Sequence, residues 1–328
     1  MDISIFKQLH DECVISDTSF AKIKLRQEND VLSVHWEIKT MLYLGVLLLS
    51  AGLGILVYKN IDTIGHQFVL FFIALICGGC FYYCFKNKLP YSTDKVVAPN
   101  SFFDYILLLG CCSFITFIAY LQFQYNVFGS RYGLATFFPM LLLFFCAYYF
   151  DHLGILSMAV VNLAAWVGIT VTPLQILQSN DFNSSTIIFT GLALGTLLML
   201  VAWASRKKRI KRHFEFTYAN FGTHVLLISC LAAMIHFSVV YLVWFLILMG
   251  LAYFFYLKAI KDKSFYFILI ITLYTYIGVS YVIINLLSNF GSGIAAIYLG
   301  FLYFIVSGIL MVLFLVRTNK KLKQHDSI

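Results

Sequence analysis

Three side chains able to exchange protons, Asp104, Asp151 and His152, stand at the ends of long apolar runs. A carboxylate beside an imidazole can pass a proton, because histidine titrates near neutral pH. Each residue also has a structural use. Ser101-Phe102-Phe103-Asp104 has the spacing of a capping box, and an acid in a first helical turn complements the helix dipole. Asp151 can cap the helix that follows the two-residue Asp151-His152 turn. The spacing favours capping over a relay.

Five cysteines are the other reactive group. Cys77, Cys80 and Cys84 share one face of one apolar segment, and Cys111 and Cys112 lie at similar depth in the next. A thiolate metal centre would use such a CxxC pair. Small residues at a helix-packing face give the same pattern, and the adjacent Gly78-Gly79 favours packing. No metal and no cofactor is expected. The chain has no His-Glu zinc motif, phosphate-binding glycine loop or nucleophile elbow, so the residues do not argue for an enzyme.

Polar stripes on apolar segments point instead to a cavity. Asn162, Trp166 and Thr170 recur every four residues, and Tyr274, Tyr281, Asn285 and Ser288 follow a near-heptad spacing. Such groups hydrogen-bond across helices or line a binding site for a neutral or amphipathic solute. Asn60, Gln122, Gln124, Tyr125 and Asn126 lie in loops where they could guard an external mouth.

The elements that position these residues follow from composition. The 328 residues are 61% hydrophobic and 12% charged, against about 25% charged in an average soluble domain. Such a chain cannot coat a soluble surface. Ten segments approach the roughly 20 apolar residues that a helix needs to cross a bilayer: 40–58, 68–85, 102–123, 132–150, 153–172, 184–204, 222–236, 238–257, 265–286 and 293–316. Period-2 alternation is absent, so the fold class is all-α, a polytopic integral membrane protein of about ten transmembrane helices. The seventh and eighth segments meet with almost no polar break. They read as a tight hairpin or as one long kinked span.

Lysine and arginine orient the chain. Of 23 such residues, 21 lie before odd-numbered spans or at the C-terminus, and only Lys59 and Arg131 lie opposite. The positive-inside rule then puts both termini in the cytoplasm. The net charge of +8 is therefore a topology signal, and no nucleic acid is expected as a partner. The run Arg206-Lys207-Lys208-Arg209-Ile210-Lys211-Arg212 predicts contact with anionic lipid headgroups of the bilayer. Residues 1–39 form a helical cytoplasmic head with seven acidic and five basic residues, the expected place for a cytoplasmic protein partner. Ser16 or Asp17 can cap its second helix, which carries Phe20, Ile23 and Leu25.

The transmembrane domain spans 40–316 and the basic tail 317–328. Ser101-Phe102-Phe103 with Phe128-Gly129-Ser130 echoes Ser264-Phe265-Tyr266 with Phe290-Gly291-Ser292. This suggests a parallel internal repeat of spans 1–4 (40–150) and 7–10 (222–316), separated by a connector pair (151–204) and a polybasic linker (205–221). Gly191 and Gly195 form a GxxxG that packs within the chain or seams a homodimer. Asn183-Ser184-Ser185 is a formal glycosylation sequon, without consequence in a bacterium.

Gly45, Gly52 and Gly54 in the first span, then Asn60-Ile61-Asp62, together with residues 122–129 and Phe150-Asp151-His152, carry a resemblance. Over roughly residues 1–205 the chain resembles a bacterial family of predicted membrane proteins of unknown function. Its members have a short helical head before a glycine-rich first span. The resemblance implies topology and a bacterial inner membrane, of Bacteroidetes-like origin, and no mechanism. The residues favour a permease-like protein, with a non-transporting scaffold or sensor, working through the head and the polybasic linker, as the alternative.

Overall fold

The computed structural model describes residues 9–12, 14–20, 35–59, 65–129, 131–171, 184–290 and 294–324. Asn60, Ser130 and Asn183 lie outside the described residues, as do Ile23 and Leu25 of the head. Among the described residues the regular structure is helical, with no strand. Ten helices there are long and apolar enough to cross a membrane. They are α1 His35–Lys59, α2 His66–Asn87, α3 Ser101–Tyr125, α4 Tyr132–Phe150 and α5 Leu153–Val171, then α6 Ser185–Lys208, α7 Glu215–His236, α8 Tyr241–Lys261, α9 Phe265–Phe290 and α10 Ile294–Gln324. Lipid offers the backbone no hydrogen bonds, so long apolar runs satisfy themselves as helices.

Two compact units divide the chain at Asn60. In the first, His10 Nε2 meets Asp17 Oδ1 at 2.7 Å and the ring stacks on Phe20 at 4.6 Å. The turn at 17–20 starts from Ser16, whose carbonyl accepts from Ser19 and Phe20. Ser16 is one of the two cap positions that the sequence offers, Asp17 being the other.

In the second unit α7 is the hub. Within it, 61% of the apolar window is buried, against 33% or less in every other span. The helix starts at Glu215, seven residues before the predicted start at 222. The stretch 215–220 looks polar enough for a linker, yet Thr217, Tyr218 and Ala219 are buried. The seventh and eighth spans are separate helices, joined by Phe237 and the 3-10 turn Ser238–Val240.

Small residues set the close approaches. A Cβ on Gly195 would stand 2.7 Å from Leu226 Cγ and 3.0 Å from its backbone nitrogen. The glycine pair of α6 is thus packed by α7 of the same chain, Gly191 against Ser229 and Gly195 against Leu226. On α2 the cysteine face packs on α3: Cys77 Sγ donates to the Gly110 carbonyl at 3.6 Å, and a Cβ on Gly110 would lie 3.0 Å from Cys80 Cβ.

The helix caps differ from the predicted ones. Asn100, not Ser101, is the N-cap of α3, its side chain accepting from Phe103 N–H at 2.8 Å. Asp151 does not cap α5; it closes α4 in the left-handed conformation, φ 60°. His152 takes over, its Nδ1 accepting from Ile155 N–H at 3.1 Å.

Candidate functional site

The connections after α2, α4, α6 and α8 meet on one face, and a buried ion cluster ties the first three together. Asp151 supplies the carboxylate, 1% exposed. Its Oδ2 accepts from Val96 N–H at 2.5 Å and from Lys211 Nζ at 3.1 Å, and its Oδ1 from His213 Nε2 at 2.5 Å. Lys211 is fully buried. Its Nζ also donates to the Asp94 carbonyl at 3.3 Å and lies 5.2 Å from the Tyr91 ring centroid. Its own N–H donates to Thr93 O at 2.8 Å, and its carbonyl accepts from Ser205 Oγ at 3.2 Å. A buried charge persists only when paired and hydrogen-bonded, and Lys211 has a carboxylate, a carbonyl and a ring face around it.

Local backbone geometry turns Lys211 inward. Arg209 and Lys211 both adopt positive φ, 55° and 47°, so the chain reverses sharply after α6. The following 3-10 turn, Arg212–Phe214, is anchored by Phe214, which is fully buried edge-on against Tyr148 at 5.1 Å. The prediction that Lys211 contacts lipid headgroups is corrected here, because its ammonium is sealed against Asp151. Arg206 is also engaged, with Glu215 at 2.9 Å and Asp262 at 2.8 Å. Lys207 sits over the Trp203 ring at 4.8 Å. Lys208, Arg209 and Arg212 are exposed.

Beside this clasp lies a cavity of about 800 Å³, within the usual range of roughly 300–1,000 Å³ for small-molecule sites. Residues of α6, α7, α8 and α9 wall it, with Asp94, Lys95 and His213 at its edge. His213 therefore belongs to both clasp and cavity. Charged side chains, among them Arg206, Arg212, Glu215, Lys258 and Asp262, edge the mouth; Met199, Ala219, Thr223, Phe255 and Phe267 form the apolar inner wall. Thr223 lies eight residues along α7 from Glu215, about 12 Å deeper at 1.5 Å per residue. The next residue, His224, bonds through Nδ1 to Tyr274 OH at 2.8 Å. It is a titratable group close to mid-span, which the sequence does not reveal because the polar stretch 215–220 makes the span look as if it starts at 222, only two residues before His224.

The sequence-predicted residues fall elsewhere. None of Asn162, Trp166, Thr170, Tyr274, Tyr281 and Asn285 lines the cavity. Trp166 packs on Phe137 of α4 at 5.4 Å, and Thr170 faces Gly133. Asn162 Oδ1 is shielded and unbonded among the described residues. Tyr281 meets Tyr241 edge-on at 6.0 Å, and Asn285 Nδ2 donates to the Tyr281 carbonyl at 3.1 Å. Gln122 staples its own loop: its Oε1 accepts from Phe128 N–H at 2.9 Å and its Nε2 donates to Asn126 Oδ1 at 2.9 Å. Gln124, Tyr125 and Asn126 are exposed. Asp104 and His152 approach to 3.9 Å, but the imidazole bonded to Asp151 is that of His213.

The ten apolar helices define a polytopic α-helical membrane protein. Residues 7–156 match a family described as predicted membrane protein (DUF2157), of unknown function. The match is narrower than the resemblance over 1–205 and ends in the first turn of α5. It includes Asp104, Asp151 and His152 but stops before Lys211, His213 and all four helices of the cavity wall. No curated protein and no solved structure matches the chain.

Proposed function

We propose that this is a permease-like protein of a bacterial inner membrane, which binds an amphipathic solute in the cavity between α6 and α9 from the cytoplasmic side. The cavity carries the reading: a charged mouth leads to an apolar interior that reaches about 12 Å along α7, toward the middle of a bilayer core about 30 Å thick. The lysine and arginine bias supports a cytoplasmic mouth and cytoplasmic termini. The His224–Tyr274 pair supports a path beyond the cavity, since titratable groups at this depth mark solute or proton routes.

Two-sided labelling tests transport. In a background lacking the native cysteines, Thr223→Cys reacts with a membrane-impermeant maleimide in inside-out vesicles. It also reacts, more slowly, from the outside of intact cells, because a permease exposes its site alternately to both faces. Labelling from the cytoplasmic side alone contradicts transport and is the result expected of a static scaffold.

A further inference from the structure

We infer that the ligand of this cavity is an anionic amphiphile, with a phosphate or carboxylate headgroup at Arg212 and Lys95 and a hydrocarbon body on the aromatic inner wall. The inference rests on the cavity named above and not on transport through it.

Charge bookkeeping at the mouth carries the argument. Five lysines and arginines edge it, against three acidic residues. Arg206 holds both Glu215 and Asp262, at 2.9 and 2.8 Å, and Lys258 stands 4.0 Å from Glu215. Two of the three carboxylates are thus neutralised inside the protein. Asp94 is the remaining acid, while Lys95 and Arg212 are exposed and have no ion pair among the described residues. The mouth is left with unspent positive charge.

The helix ends at the mouth are of both signs, because the N-termini of α7 and α9 stand beside the C-termini of α6 and α8. The net positive field therefore comes from the side chains, and α9 adds local N–H donors. Ser264 and Phe267 of the wall bracket the start of α9 at Phe265. A long helix presents unpaired N–H groups and the positive end of its dipole at that terminus, which favours an anion. A cationic headgroup would meet repulsion from Lys95 and Arg212. The inner wall then selects against a bare anion, because Met199, Phe255 and Phe267 offer it nothing to bond. A headgroup bearing a hydrocarbon chain satisfies both halves of the cavity.

Full-length protein in phosphatidylcholine nanodiscs, probed with dodecyl phosphate, tests the inference. Dodecyl phosphate should raise the unfolding temperature saturably. Dodecyltrimethylammonium and inorganic phosphate should bind at least about tenfold more weakly. Arg212→Glu, on an exposed side chain with no ion pair among the described residues, should weaken dodecyl phosphate by about tenfold or more, as losing one charge-assisted bond does. Lys95→Glu is a second, independent variant with the same expectation. Competition by phosphatidylglycerol added to the nanodisc identifies the headgroup as that of a membrane lipid. Dodecyl phosphate binding without such competition identifies a soluble amphiphile, and either result supports the inference. Equal affinity for dodecyltrimethylammonium or for inorganic phosphate, or unchanged affinity in both charge variants, overturns it. One-sided labelling of Thr223→Cys together with selective dodecyl phosphate binding would remove transport and keep this inference. Two-sided labelling without that selectivity would do the reverse.

Discussion

Asp151→Ala should lower the folding stability of the purified protein by about 3–5 kcal/mol, the cost of removing one member of a buried ion pair. The magnitude follows from what is left behind. Lys211 is fully buried, and Val96 N–H and His213 Nε2 lose their acceptor at the same moment. Reversible unfolding in mild detergent, followed by tryptophan fluorescence, measures the change. A double variant, Asp151→Ala with Lys211→Met, should recover much of the loss, because two apolar side chains leave no uncompensated charge. A single variant within about 0.5 kcal/mol of wild type, the range of an ordinary surface change, would show that the cluster does not hold the face together. The tie also fixes Asp94, Lys95 and His213 at the cavity edge, so Asp151→Ala should loosen ligand binding as well.

Gly195→Val is expected to be the next most damaging change, by about 1–3 kcal/mol, the usual cost of overpacking an interior. Its first added carbon would already stand 3.0 Å from a backbone nitrogen of α7, which cannot swing away as a side-chain tip can. Gly250→Val is the control. Nothing lies within 4 Å of a Cβ there, so it should stay within about 0.5 kcal/mol of wild type in the same assay. Equal effects at the two glycines would mean that α6 and α7 do not approach as described.

The membrane spans were legible because the physics that makes them is local. A run of about 20 apolar residues has one stable form in lipid, and the ten segments read from the sequence correspond to α1–α10. Legibility fails where a residue's fate depends on partners distant in the chain. Lys211 is one lysine in a run of basic residues, and its type does not reveal that it turns inward while Lys208 and Arg209 stay exposed. That depends on the positive φ of Lys211 and on Asp151, sixty residues earlier in sequence. The signal that was available is small: Asp151 is the acid of a two-residue turn, and His213 closes a basic run. The sequence marks Asp151 as a candidate but places His152 beside it, and His152 instead caps α5. The cavity escapes the sequence for a related reason. Asn162 and Asn285 are polar residues on single helices, whereas the cavity is walled by charged and aromatic residues of four helices. No one-helix stripe announces such a site.

The central claim is that the cavity between α6 and α9 holds a ligand, and native mass spectrometry of the full chain, released from mild detergent, tests it most directly. Wild-type protein should carry a discrete mass adduct. Ala219→Trp, which places an indole in the cavity from its α7 wall, should elute as the same monodisperse species without the adduct. An identical adduct pattern in the two proteins would contradict the account.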